Sequence, residues 1–265
     1  MSLINLEKPE HAYFFGFAQT DGCLSSSSRR RGRLSIEIQA KDSLLLEKCQ
    51  ALFSCNSLIT KRTRDTNFKK DYSSVIFNIF DLEFRKEIEQ LGLPVGKKSE
   101  IVKPPTVPFS EKDYWRGVID GDGSLGISKG GSCFISLTTK SEELKEAFVN
   151  YCFKINGILK NPHRNVRDNI YNITFLDEGA RDMVKELYYD GCLCLDRKLE
   201  KSKEVLNWVR DPNCKKITWQ KKKWDDEQDQ ILLSNPIEKA AELLDRNIKS
   251  CEMRLYRLSK KKSII

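Results

Sequence analysis

The stretch Tyr13–Leu24 reads YFFGFAQTDGCL, and the stretch Tyr114–Leu125 reads YWRGVIDGDGSL. Each runs aromatic, two residues, Gly, apolar, a short step, then Asp-Gly, a small residue and Leu. Asp21 and Asp122, the matching acidic residues, lie 101 positions apart. A repeat of fixed period organises a whole fold, because each copy is one supersecondary unit. The chain is therefore expected to be built from two related halves.

The likeness continues downstream. Arg33–Phe53 answers Ser132–Phe153. In the first, Leu34, Ile36 and Ile38 alternate with polar residues; in the second, Cys133, Ile135 and Leu137 do so. A period of two predicts a half-buried strand. Each strand meets a lysine, Lys41 or Lys140, and a helix N-cap residue, Asp42 or Ser141, ahead of apolar residues at helical spacing. SLITKRTR and SSVIFNIF then predict two strands in the first half, and GILKNPHR and NIYNITF two in the second. Helices near Leu82–Leu91 and Glu178–Tyr189 close the halves. VGKKSE (95–100) answers LDRKLE (195–200), so Lys98 stands 77 residues after Asp21 and Lys198 stands 76 after Asp122. Lys97 is one register away from Lys98.

The fold class expected is α+β: two pseudo-symmetric αββαββα repeats with antiparallel sheets, plus a small C-terminal helical domain. The boundaries expected are 1–103 for the first repeat, 104–110 for a proline-marked linker, 111–210 for the second repeat and 211–265 for the tail.

Composition narrows the function classes. The chain has 265 residues, 32% of them charged and 39% hydrophobic, with a net charge of +8. No long uncharged apolar run is present, which argues against a membrane span. The first residues lack a signal-peptide pattern, so the protein is expected to stay inside the cell that makes it, in the cytoplasm or the interior of a host cell. Thirteen basic and nine acidic residues within 211–265 place half of the net charge in the tail. A basic balance favours a polyanionic partner. Nine cysteines without a C-x-x-C pair, and only two histidines, suit free thiols in a core rather than a zinc site.

The two Gly-centred helices, with the matched pattern around them over about residues 8–210, resemble the LAGLIDADG motif of homing endonucleases. The resemblance implies that the motif helices pack together at the centre of a pseudo-twofold monomer, with the antiparallel sheets forming a saddle over DNA. Gly16 and Gly117 allow the backbones to approach, while Phe14, Phe17, Trp115 and Val118 belong to the core. It further implies that Asp21 and Asp122 hold divalent metal, with Gly22 and Gly123 beside it, and that Lys98 and Lys198 are basic residues near the catalytic waters. Hydrolysis of a phosphodiester needs charge neutralisation and an activated water, which hard cations on carboxylate oxygens supply. Mg2+ is the expected cofactor, with Mn2+ able to substitute. The first motif departs from the pattern at Gln19, where the second has Asp120; Asp120 reads as structural.

Double-stranded DNA is the expected partner. On the first strand the face opposite the apolar one carries Arg33, Ser35, Glu37, Gln39 and Lys41; on the second it carries Ser136, Thr138 and Lys140. Arg and Lys suit guanine, Gln suits adenine and Glu suits cytosine. Loop and strand-end residues Arg29, Arg30, Arg31, Lys61, Arg62, Arg64, Lys69, Lys70, Lys129, His163, Arg164 and Arg167 are expected mostly at phosphates. The tail segment DRNIKSCEMRLYRL resembles the recognition helix of Myb-like helix-turn-helix domains. Arg246, Asn247, Lys249, Ser250, Arg254 and Arg257 would face DNA while Ile248, Cys251, Leu255 and Leu258 pack.

The function expected is a metal-dependent, site-specific double-strand DNA endonuclease with an asymmetric target, acting as a monomer because the duplication supplies both halves of the site. Two alternatives use the same scaffold: a non-catalytic transcription regulator, which would lack the acidic pair, and a maturase binding intron RNA.

Overall fold

The computed structural model describes residues 2–25, 32–65, 70–211 and 224–262. Residues 1–211 and 212–265 form two compact units.

In the first unit the chain opens with helix α1 (Pro9–Asp21), which has Pro at its start and is buried continuously from His11 to Gln19. A helix buried on every side belongs in the middle of a fold rather than on its surface. Strands β1 (Gly22–Leu24) and β2 (Leu34–Gln39) follow, then a short 3-10 turn and helix α2 (Ser43–Ala51), strands β3 (Ser57–Arg64) and β4 (Tyr72–Ile79), and helix α3 (Leu82–Gln90). The four strands form one antiparallel sheet in the order β1-β2-β4-β3. Leu34, Ile36 and Ile38 pair with Ile79, Phe77 and Val75, so apolar residues share one face. Phe14 meets Phe53, and Phe53 meets Phe84, edge to face at 4.9 Å, which ties α1 and α3 together.

The second half begins with α4 (Glu111–Asp122), β5 (Gly123–Ile127), β6 (Cys133–Thr139) and α5 (Glu142–Asn156). Trp115, at the position of Phe14, packs on Phe148 and Tyr151 at 5.1 and 5.8 Å. Ser141 caps α5 as expected, its hydroxyl accepting from Leu144 N–H at 3.1 Å. Asp42 makes no such cap; its carboxylate pairs with Arg197 at 3.1 Å instead.

The repeat is broken at the next element. The pattern of GILKNPHR predicts a strand, yet residues 157–170 contain none. Pro162 has no N–H to donate to a ladder, and Asn165 and Asn169 close a turn through Asn165 N–H to Ile170 O and Asn169 N–H to Asn165 O. The second sheet therefore has three strands, β5-β6-β7, with β7 (Tyr171–Leu176) at its edge. Helices α6 (Asp177–Leu187) and α7 (Asp196–Leu206) follow. The first-half counterpart of α7 is a single turn, with Ile101 and Val102 N–H bonded to Lys98 O.

The second unit has helices α8 (Asp226–Ser234), α9 (Ile237–Leu243) and α10 (Ile248–Lys262) around Leu232, Ala240, Ala241 and Cys251. Trp224 lies 4.0 Å from the Arg246 guanidinium. No helix among the described residues is long and apolar enough to cross a membrane.

Candidate active site at the crossing helices

α1 and α4 meet backbone to backbone, and glycine is the reason. A Cβ on Gly16 would stand 2.3 Å from Tyr114 O, and one on Gly117 would stand 2.1 Å from Tyr13 O. A third level is set by Gly121, where a Cβ would fall 1.9 Å from Thr20 Oγ1. Any side chain at these positions would push the helices apart.

Hydrogen bonds cross the same interface in a matched pair. Tyr13 Oη donates to Asp120 Oδ2, and Tyr114 Oη donates to Gln19 Oε1, both at 2.7 Å. This explains the Gln/Asp difference between the motifs. Gln19 uses its amide to donate to Gly92 O and Lys103 O, each at 2.9 Å. Asp120, only 1% exposed, accepts instead from Tyr188 Oη and Leu195 N–H, each at 2.7 Å. Both side chains tie a motif helix to the segment that carries the following lysine.

The two helices end at Asp21 and Asp122, and Gly22 and Gly123 turn the chain into strands. Both carboxylates are exposed on one side and crowded by protein on the other. Burial and the nearby charge of Asp122 push the Asp21 carboxyl up to about 6, against the pull of Lys98 and Lys198. Burial also raises Asp122, opposed by the same two lysines. Burial lowers Lys98 and Lys198 to about 8, although the aspartates oppose it. Two carboxylates and two ammonium groups thus share one electrostatic environment.

The lysines are not solvated residues at a helix start. Lys98 Nζ donates to Ala18 O at 3.0 Å and Thr20 O at 2.7 Å, the carbonyl end of α1. Lys198, 5% exposed, does the same at α4, donating to Ile119 O, to Asp120 O at 2.8 Å and to Gly123 O at 2.9 Å. A cation at a helix C-terminus satisfies orphan carbonyls and complements the dipole. An ammonium has three donors. Lys198 has committed all of them to carbonyls, one of which is that of Gly123; Lys98 has committed two. Lys97 is exposed, away from this arrangement.

Beside Asp122 a cavity of about 200 Å³ is lined by Thr20, Lys98, Ser99, Thr138 and Lys140, among others. Among the described residues no group of three or more His, Cys, Asp or Glu side chains could hold a metal alone. A cation here would take its protein oxygens from Asp21 and Asp122 and its remaining ligands from water or phosphate. That is the donor set of a hard divalent ion such as Mg2+.

The sheets offer two uncovered faces. On the first, cross-strand register groups Ser35, Glu37 and Gln39 with Asn78, Ile76 and Ser74, and beyond them with Leu58, Thr60 and Arg62. Ser35 donates to Asn78 at 2.7 Å, and Glu37 accepts from Ser74 at 2.6 Å and pairs with Arg64 at 3.1 Å. Arg33, Lys41 and Lys70 are exposed. Lys61 is displaced from its expected role: it pairs with Val75, so it belongs to the opposite face. On the second sheet Ser136 and Thr138 share a face with Thr174 and Asn172. Lys129, Lys140 and His163 are exposed. Arg164, expected at phosphate, instead holds its own loop, donating to Tyr171 Oη at 3.0 Å and Lys140 O at 3.1 Å. Arg167 pairs with Asp168 at 2.7 Å. Arg29, Arg30, Arg31 and Lys69 lie outside the described residues.

In the tail, Asn247, Lys249 and Arg257 are exposed, and Cys251 is buried. Three expectations fail there. Arg246, expected at DNA, lies over the Trp224 ring and donates to Gln228 Oε1 at 2.6 Å. Arg254 does not point outward but forms a two-pronged pair with Asp229 at 2.7 and 2.6 Å. Ile248, expected to pack, is 46% exposed.

Sequence reasoning missed Arg116. It is fully buried in α4, pairs with Asp113 at 2.6 Å, and donates to Leu187 O at 2.9 Å and Leu193 O at 2.8 Å. An Asp and an Arg three residues apart on an otherwise buried helix were the available signal.

Residues 110–188 match the family model described as a LAGLIDADG-like domain. No curated protein matches the sequence. Among solved structures, the chain is similar to the homing endonuclease I-WcaI bound to its DNA recognition sequence, at 14% identity and TM-score 0.51, covering 74% of this chain and 87% of that one. It is also similar to I-SmaMI bound to uncleaved DNA target with calcium, at 14% identity and TM-score 0.47, covering 75% and 90%. A third is I-GzeII in complex with DNA target, at 11% identity and TM-score 0.44, covering 76% and 88%.

Proposed function

This chain carries a LAGLIDADG-like domain on the fold of the LAGLIDADG homing endonucleases, and on that premise we propose that it is a site-specific endonuclease cutting both strands of duplex DNA with Mg2+. The observation that carries the reading is the pair of aspartates at the ends of two helices locked together by glycine. Each arrives from a different repeat, and each feels the charge of the same two lysines. Two strand cuts need two phosphates served, and one carboxylate from each half suits that task.

In this reading Asp21 and Asp122 hold the divalent ion, with Mn2+ able to replace Mg2+. Bound there, the ion supplies charge neutralisation on the scissile phosphates and a water of lowered pKa. The protein supplies the rest. The crossing helices fix the spacing of the two carboxylates, because glycine contact leaves no slack for them to slide. Lys98 keeps one N–H donor for a water or a phosphate oxygen, where a fixed positive charge stabilises developing negative charge. Lys198 acts as a positioning residue that holds the carbonyl end of α4. Arg62, Arg64, Gln39 and Glu37 read or position one half of the target, and Thr138 and Ser136 the other. In the tail, α9 and α10 are joined across residues 244–247 in the manner of a helix-turn-helix, and Asn247, Lys249 and Arg257 form its DNA-facing side.

The test is cleavage of a plasmid library of randomised sites by the purified chain, with Mg2+ or EDTA, beside the double variant Asp21→Asn/Asp122→Asn. Cutting at one long asymmetric site that needs metal and vanishes in the variant supports the reading. Tight sequence-specific binding without cutting in Mg2+ or Mn2+ would overturn it and favour a regulator.

A further inference from the structure

The uncovered faces of the two sheets differ in chemistry, and the difference reaches the bases they could meet. The first face carries Glu37, Arg62 and Arg64 in register, with Arg33 exposed at its edge. The second face has no charged side chain on any strand. Register groups Ser124, Gly126, Phe134, Ser136, Thr138, Asn172, Thr174 and Leu176 there, while Ile135, Leu137 and Phe175 point to the core. Lysines stand only at its margins: Lys140 is exposed just past β6, and the Lys201 stem reaches from α7 toward Gly126 and Phe134. Leu176 is 51% exposed, and Phe134 is partly exposed on the same face.

Base edges in the major groove are distinguished by what meets them. Guanine is read by the fork of Arg or by Lys, cytosine by a carboxylate, adenine by the amide of Asn or Gln, and the thymine methyl by apolar contact from residues such as Phe and Thr. The strands of the second face have the last two kinds and lack the first two. Asn172 is already oriented: its Oδ1 accepts from Thr138 Oγ1 at 3.0 Å, which keeps a second lone pair on Oδ1 and both Nδ2 hydrogens for a base. Thr138 and Thr174 flank it on the same face, and Phe134 and Leu176 pair with each other at the other end of that face.

From this, resting on the endonuclease reading above, we infer that the half-target under the second sheet is A·T-rich, read by Asn172 at adenine and by Phe134 and Leu176 at thymine methyl groups, while the half under the first sheet holds the G·C pairs. The missing fourth strand also leaves the second sheet narrower, so its half-target is the shorter one.

The experiment begins with targets selected by cleavage from a randomised library, aligned on the cut. A·T pairs should be enriched on one side only. The selected duplex is then synthesised with uracil in place of thymine in one half at a time, which deletes only the 5-methyl group. Binding in Ca2+ should weaken by about three- to fourfold for each contacted methyl removed in the second half and stay unchanged in the first. In Phe134→Ala or Leu176→Ala, whose side chains lie outside the buried core, the uracil effect should shrink. Equal G·C content in both halves, or a uracil-neutral second half, overturns the inference while leaving the nuclease reading intact. Failure to cut any duplex sinks the nuclease reading itself, which is a different result.

Discussion

Position 19 in the first half holds an amide that donates to two carbonyls, and position 120 in the second holds a carboxylate that accepts from three donors. Both sit at the same level of their helices, and each takes a tyrosine from the other half. The tie to the lysine-bearing segment is kept, but its polarity is reversed. The same pattern recurs at the lysines: Lys98 spends two donors on α1 carbonyls, and Lys198 spends two on α4 and a third on Gly123 just past it. Between the two halves the packing geometry is shared, and the polar chemistry around it differs.

The halves should therefore be equivalent at the aspartates. Asp21→Asn and Asp122→Asn should each lower the cleavage rate by about a hundred- to a thousandfold, measured on a selected target with Mg2+; a large effect from only one of them breaks the symmetry of the site. They should be equivalent again at the helix contact. Gly16→Ala and Gly117→Ala place a Cβ against backbone oxygen at 2.3 and 2.1 Å, and each should cost about 3 kcal/mol, lowering Tm by roughly 6–12 °C. A scan showing no change at either would mean the helices are not packed as described.

The halves should part company at the lysines. Lys198→Met leaves three backbone carbonyls around a buried methyl group and should destabilise the protein by about 2–4 kcal/mol, seen in urea unfolding. Lys98→Met strips fewer carbonyls at a more open position, so its destabilisation should be smaller and its effect on cleavage, normalised to folded protein, larger. The smallest effect concerns the sheets. Arg62→Ala with Arg64→Ala should reduce the slope of log K against log salt by about 1 for each phosphate that is no longer neutralised. Thr174→Ala on the uncharged face should leave that slope unaltered, and a slope change there would erase the contrast between the two faces.

Much of this architecture is legible in the residues. The Gly-centred repeat, the Asp-Lys spacing and the alternating strands are visible because each depends on local period or on matched positions along one chain. The core role of Phe14, Phe17, Trp115 and Val118 is legible too, since apolar residues on a buried helix have nowhere else to go. A strand at 157–170 is not formed, because the alternation in GILKNPHR suggests one while Pro162 cannot serve in a ladder. Charge alone points Arg164 and Arg254 toward DNA, and the fold gives both an internal partner. Lys61 is one residue out of phase with Arg62 and Arg64, and a period of two turns that single step into the opposite face.

By itself, then, the sequence determined the two-half architecture, the helix ends at Asp21 and Asp122, and the pairing of each aspartate with a distant lysine, because repetition and periodicity are properties of the order of residues. Only the tertiary structure decided what those groups touch. That Tyr13 bonds to Asp120 rather than to anything in its own half follows from two helices crossing, and that Lys198 spends every donor on backbone and Arg116 is buried against Leu187 and Leu193 follows from how the end of the second half packs on α4. The partners in those contacts lie 71 to 107 residues apart, and no local pattern specifies which of many distant polar groups will be near enough to satisfy a buried one.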